Sequence, residues 1–238
     1  MGIVRGLKSI NAHIDAEEAK FSGSGDGPST KWFKLADKQA VKVVFLQELD
    51  PDSENFSQKN DLGFLAIEHV NPANWKRKAV CSIDDDGACY GCEQHKKDWK
   101  AGWKQKTRLY INVLVDEGAG TEPYVAVLSQ GNGPKSITPT LIEYAGDDGT
   151  ISDKWFTIKR SGAGATDTSY TLRAGKEHGL NVEDYELFDL ERVLRQIPYA
   201  EQQAHYNSGG EDASADAGAR PAEAAVAVGG GTSVDAEW

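Results

Sequence analysis

The chain has 238 residues, 39% of them hydrophobic, and a net charge of −11 at neutral pH, which allows one substantial core with tails or two small domains. No apolar run approaches a membrane span, so no membrane partner is expected, and Arg5 and Lys8 are not followed by the apolar stretch of a secretory leader. The cysteine count is odd and all three sit in one stretch, which suits a reducing cytoplasm better than a disulfide framework.

In chain order, Ile3, Leu7, Ile10 and Ile14 recur at helical spacing and predict an amphipathic helix over residues 1–20. A Gly- and Ser-rich linker over 22–30 sets residues 1–29 apart as an N-terminal segment. Its apolar stripe either meets another copy, giving self-association, or a partner, or folds back onto the body. Strand patterns follow at 32–35, 41–46, 64–70, 108–115, 124–128, 155–160 and 170–173. Helices are predicted over 93–104, from an N-cap at Thr138 with Pro139 in the first position, and over 185–196. Many short strands with few helices predict an α+β, mainly β class and a small barrel, with the folded core spanning 30–206. Residues 207–238 are Gly, Ala, Ser and acid; they bury too little surface to offset chain entropy and read as a disordered acidic tail. Its tip, with Asp235, Glu237 and Trp238, reads as a docking point for a protein partner.

His69, Cys81, Cys89 and Cys92 form an H-x11-C-x7-C-x2-C pattern. Cys89-Tyr-Gly-Cys92 is a tight hook in which Gly91 eases the turn; with one more thiolate and an imidazole it makes a Cys3His set suited to one structural Zn2+. Four protein ligands leave no open position, so this metal would fold the chain and do no chemistry. His95 competes with His69 for the fourth place; His69 closes an apolar strand pattern that would hold it rigidly, and is preferred. Asp84, Asp85 and Asp86 could in principle hold a catalytic metal, but they read as a solvated acidic turn, and no enzyme is expected.

Residues 177–238 carry thirteen Asp and Glu against three Arg, so nearly all of the negative charge resides there. Between His69 and Arg108 the balance reverses, with nine Lys and Arg against five acids. Trp75, Lys76 and Arg77 lie between the histidine and the first cysteine. Lys96, Lys100 and Lys104 would share one face of the 93–104 helix, and Lys106 follows. In the strand over 108–115, Leu109, Ile111, Val113 and Val115 take one face, leaving Arg108, Tyr110 and Asn112 on the other. A cation, a ring and an amide in a row suit a single nucleic-acid strand, and Lys159 and Arg160 beside a Gly-rich loop add phosphate contacts.

The order of these features resembles the replicative single-stranded-DNA-binding proteins of T-even phages. The entry segment over 32–46, the His69/Cys81/Cys89/Cys92 set and the strand over 107–115 with its Tyr110-x-Asn112 centre carry the likeness, which covers about residues 30–175. It implies an OB-fold with an inserted zinc subdomain at about 69–106, the two forming a cleft for one DNA strand. It further implies a sequence-tolerant protein that coats and protects single-stranded DNA in replication, recombination and repair, in the cytoplasm of a phage-infected bacterium. Replication or recombination proteins would be met through the acidic tail. The alternative is a zinc-containing RNA-binding or transcription-associated module.

Overall fold

The computed structural model describes residues 30–118, 120–164 and 167–208. The expected N-terminal segment and the tail beyond Ser208, with Asp235, Glu237 and Trp238, lie outside the described residues. Within them the protein is α+β and mainly β. The strands are β1 (Ala40–Phe45), β2 (Phe64–Asn71), β3 (Asn74–Val80), β4 (Lys106–Asp116), β5 (Tyr124–Gly131), β6 (Lys154–Ser161) and β7 (Ser169–Glu177). The helices are α1 (Ile83–Asp86), α2 (Tyr90–Lys97), α3 (Thr138–Asp148), α4 (Leu190–Val193) and α5 (Tyr199–Asn207).

All seven strands join one antiparallel sheet, in the order β3-β2-β4-β1-β6-β7 with β5 also on β4. The branch arises because β4 is eleven residues long. Its first half pairs with β2 and its last residues with β1, while its other edge pairs with β5. Leu109, Ile111, Val113 and Val115 point into the main core with Val43, Phe45, Phe156 and Ile158, and Leu141 of α3 covers them. Thr138 opens α3 itself rather than capping it; its hydroxyl donates to the Gly131 carbonyl, and Pro139 follows in the first turn. Gly149, at φ 72°, ends the helix in the left-handed region that glycine adopts without strain.

Part of the second face of the sheet is covered too. The segment over 182–194 runs across it, placing Val182, Tyr185 and Leu187 on Val44, Leu46 and Leu114, and Phe188 and Leu190 beside Tyr110 and Val127. The predicted helix over 185–196 is therefore mostly absent: a 3-10 turn at Val182–Asp184 and the four-residue α4 flank extended chain. The reason is visible at Asn112. Its side-chain amide donates to the Phe188 carbonyl at 2.9 Å and its carbonyl accepts from the Phe188 N–H at 3.1 Å. Both backbone groups of Phe188 are thereby taken, so neither can serve a helix.

Two further expectations change. The strand over 32–35 shrinks to one bridge, Trp32 opposite Val127. The polar run Trp75–Lys78, for which no strand is expected, lies in strand β3, because pairing with β2 outweighs its weak apolar alternation.

Candidate metal centre and basic surface

β2 ends by delivering His69 into the interior, where it is fully buried. Opposite it, β3 runs into Cys81, whose N–H donates to the Ile67 carbonyl. The chain then makes α1 and presents Cys89 as the N-cap of α2, with Cys92 in the first turn. The four donor atoms of His69, Cys81, Cys89 and Cys92 lie within 4.8 Å of one another and could hold a metal ion; among the described residues no other such group of three or more His, Cys, Asp or Glu occurs.

Two of the separations approach those around a tetrahedral ion. Metal–sulfur bonds of about 2.3 Å at tetrahedral angles put sulfurs about 3.8 Å apart. Here Cys81 and Cys92 sulfurs are 3.6 Å apart, and Cys92 Sγ is 3.3 Å from His69 Nε2. The other ring nitrogen, Nδ1, is 2.7 Å from the Trp103 carbonyl, which can only accept; Nδ1 therefore carries the proton and Nε2 offers its lone pair to the sulfurs. Burial, partly offset by that bond, lowers the His69 pKa and keeps the imidazole neutral, as ligation requires. Of the two candidate histidines it is His69, not His95, that joins the donor group.

The sulfurs are prepared for a cation as well. Burial pushes the Cys89 thiol up, but N–H donors from Cys92, Ser82 and Gly91 and the Cys81 thiol outweigh it, and its pKa falls. Burial and the two neighbouring sulfurs push Cys92 up to about 12. Three thiols this close do not all ionise together without a positive charge between them. Gln105 points its amide at Cys81 and Cys92, 3.4 and 3.5 Å away, so a thiolate there gains a neutral donor. The sequence carried no signal for Gln105 or for the Trp103 carbonyl, because neither follows a ligand spacing.

Gly91 has a stricter role than easing a turn. A Cβ at this position would sit 2.3 Å from His69 Cγ. Gly91→Ala should therefore push the imidazole out of line and weaken metal affinity about 10- to 100-fold, as loss of ligand support does. Titration with Co2+, read by thiolate-to-metal absorption, checks this; unchanged affinity would mean that the hook backbone can retreat without moving His69.

The hook is held to the body from the far end of the chain. Gln202 of α5 accepts from the Tyr90 N–H at 2.9 Å and donates to the Ser82 hydroxyl at 3.0 Å. Tyr206 stacks on Tyr90 and meets Trp103 edge-on at 5.0 Å. Asp86 accepts from the Tyr199 N–H at 2.7 Å, which gives this member of the acidic triplet a structural partner.

The residues expected to touch nucleic acid divide into two groups. Tyr110, Asn112 and Arg77 are buried, so the expectation that they face a DNA strand is corrected. Tyr110 donates to Glu68 at 2.8 Å and accepts from Lys78 at 3.2 Å. Asn112 serves Gln47 and Phe188. Arg77 points to the covered side of β3, in line with buried Ala79. Arg108 bonds Ser129 at 3.1 Å and lies 4.0 Å from the Glu68 carboxylate. Arg160 is engaged by the Leu35 carbonyl at 2.7 Å, the Gly162 carbonyl and Thr168. These two arginines brace the sheet and the loop after β6.

Exposed chemistry remains at the hook. Helix α2 ends at Lys97, not 104, because Asp98 turns extended and its carboxylate takes the Lys100 N–H. Lys96, Lys100 and Lys104 thus do not share one helix face, but all are exposed, as are Lys97 and Lys76; Trp75 and Lys106 are half-buried. Trp103 turns inward onto Tyr206, whereas Trp99 is 71% exposed with the Lys100 ammonium 5.3 Å from its ring. Lys159 lies far along the sheet on β6 and is exposed.

Comparison of the chain with known protein families, curated proteins and solved structures gives no match. No helix among the described residues is long and apolar enough to cross a membrane.

Proposed function

We propose that this chain is a non-enzymatic, sequence-tolerant single-stranded-nucleic-acid-binding protein, with single-stranded DNA as its ligand and one structural Zn2+ at His69, Cys81, Cys89 and Cys92. The Cys3His donor set closes all four positions and suits Zn2+, which would supply folding energy and no chemistry. Reading the body as an OB-fold with the hook as its zinc subdomain belongs to the same proposal.

The observation that carries the proposal is Trp99. A large ring left in water on a loop held by the hook, with the Lys100 ammonium beside it and the exposed Lys96, Lys97 and Lys104 close by in sequence, is what base stacking beside phosphate neutralisation requires. Leu65 and Ile67, exposed on β2 four and two residues before His69, offer further apolar surface. Roles in coating DNA during replication, recombination or repair, and docking of partner proteins by the acidic tail, belong to the same proposal.

The test is binding of a labelled single strand, its duplex and an RNA of the same sequence. Tight, salt-sensitive binding of the single DNA strand alone is expected. Trp99→Ala should weaken it by about 1–3 kcal/mol, or roughly 5- to 150-fold. Equal affinity for the duplex would defeat the stacking reading, and selective RNA binding would turn it to a module that reads 2′-hydroxyls.

A further inference from the structure

The second sheet face is covered over β4 and the near ends of β1 and β6 by the 182–194 segment, but the far part of β1, β6 and β7 stays open. Register places two rows of side chains there: Lys42, Thr157 and Arg173, and Ala40, Lys159 and Thr171. Their sequence neighbours Val41, Ile158 and Leu172 point into or against the main core, so both rows face outward. Lys42, Lys159, Arg173 and Thr171 are exposed and Thr157 half-buried. Adjacent strands lie about 4.8 Å apart and alternate residues about 6.7 Å along a strand, so the three cations fall within a patch of about 10 by 7 Å.

Among the described residues none of these three cations has a hydrogen-bond or ion-pair partner. Asp116, opposite Lys42 on β4, borders the patch, and its carboxylate accepts from the Gly118 N–H. Edge protection would explain charge on β7, which is an edge strand. It does not explain Lys42 and Lys159, which stand on the interior strands β1 and β6. Nor is general solubility a reason for unpaired lysines in a chain whose net charge is already −11.

We infer that the open face of β1, β6 and β7 is a second nucleic-acid contact, one that holds the phosphodiester backbone and reads no base. The platform is flat and small-sided, with Ala40, two threonine hydroxyls and three cations. The rings beside it are engaged elsewhere, since Trp155 packs on the covered cluster around Val44 and Tyr170 on the main core. This inference rests on the reading that the chain binds nucleic acid, and adds a surface at the opposite end of the sheet from the metal hook. A strand long enough to reach both would be gripped by stacking at Trp99 and by charge alone at Lys42, Lys159 and Arg173.

The experiment compares the full chain, a K42A/K159A/R173A variant, a K42R/K159R/R173K variant and Trp99→Ala on a long labelled oligothymidylate across a salt series. Each phosphate neutralised on a single strand contributes about 0.7 to the slope of log affinity against log salt, so the triple Ala variant should lose about 2 from it. The charge-conserving variant should keep the slope, which a merely structural loss would not distinguish from the Ala variant. Trp99→Ala should lower affinity and leave the slope nearly unchanged. An unaltered slope in the triple Ala variant, with the full chain still binding, overturns the second contact and leaves the hook reading standing. Loss of slope in the triple variant with no effect of Trp99→Ala supports the second contact and removes the hook. No binding by the full chain overturns both.

Discussion

Cys89→Ser is expected to abolish metal binding and to lower the melting temperature steeply. Cys89 is buried, sits at the start of α2, and receives three backbone N–H groups that a hydroxyl would not repay with a metal bond. Structural Zn2+ supplies roughly 10–16 kcal/mol of apparent binding energy in finger peptides, against a total of about 5–15 kcal/mol for a folded domain. If about 4 kcal/mol of this acts on the body, the melting temperature falls by about 10 °C, at roughly 2–4 °C per kcal/mol. The loss should spread beyond the hook, because α5 is anchored there through Gln202, Tyr199 and Tyr206. Metal analysis, melting with and without chelator, and amide exchange over α2 and α5 measure it. A variant that keeps its melting temperature, and a native chain indifferent to chelator, would remove the metal from the account.

Tyr110→Ala should unfold rather than merely weaken binding. Tyr110 is among the largest fully buried side chains and packs between Trp32, Phe64 and the Phe188 region. Removing a buried aromatic costs about 3–5 kcal/mol through lost transfer energy and the cavity left behind. The hydroxyl adds to this. It donates at 2.8 Å to Glu68, a carboxylate 1% exposed, which has the Lys78 ammonium 3.8 Å and the Arg108 guanidinium 4.0 Å away. Burial and the Glu68 charge raise the Tyr110 pKa, so the ring stays protonated and keeps donating. Tyr110→Phe should therefore cost about 1–3 kcal/mol by itself, by leaving that carboxylate short of a partner. Denaturant melts of the two variants check both figures. A Tyr110→Ala protein with native stability and weakened DNA binding would restore the outward-facing assignment and contradict the buried geometry.

These two residues mark where sequence was legible and where it was not. That His69, Cys81, Cys89 and Cys92 come together could be read because such a cluster is local. Cys89 and Cys92 are joined by one turn, and Cys81 and His69 come from adjoining stretches, so residue type and spacing nearly specify the geometry. The β class, and the inward face of β4, could be read for the same reason: alternation records one buried face directly. The misreading of Tyr110 and Asn112 followed from assuming that the other face met water. A ring and an amide suit a solvated face as well as they suit a covered one, and nothing within β4 distinguishes the two.

Composition and spacing by themselves thus determined a mainly β chain with one Cys3His group, a basic middle and an acidic end. Tertiary structure decided which polar residues are surface. The 182–194 segment arrives from some seventy residues away and pairs its backbone with Asn112, turning a predicted binding face into interior. The end of α2 at Asp98 sends Trp103 inward and leaves Trp99 in water. Strand register across β1, β6 and β7 gathers Lys42, Lys159 and Arg173, far apart in sequence, onto one open face. Local patterns record the preferences of a segment for its own conformation; which of its faces is covered depends on partners that only the folded chain brings together.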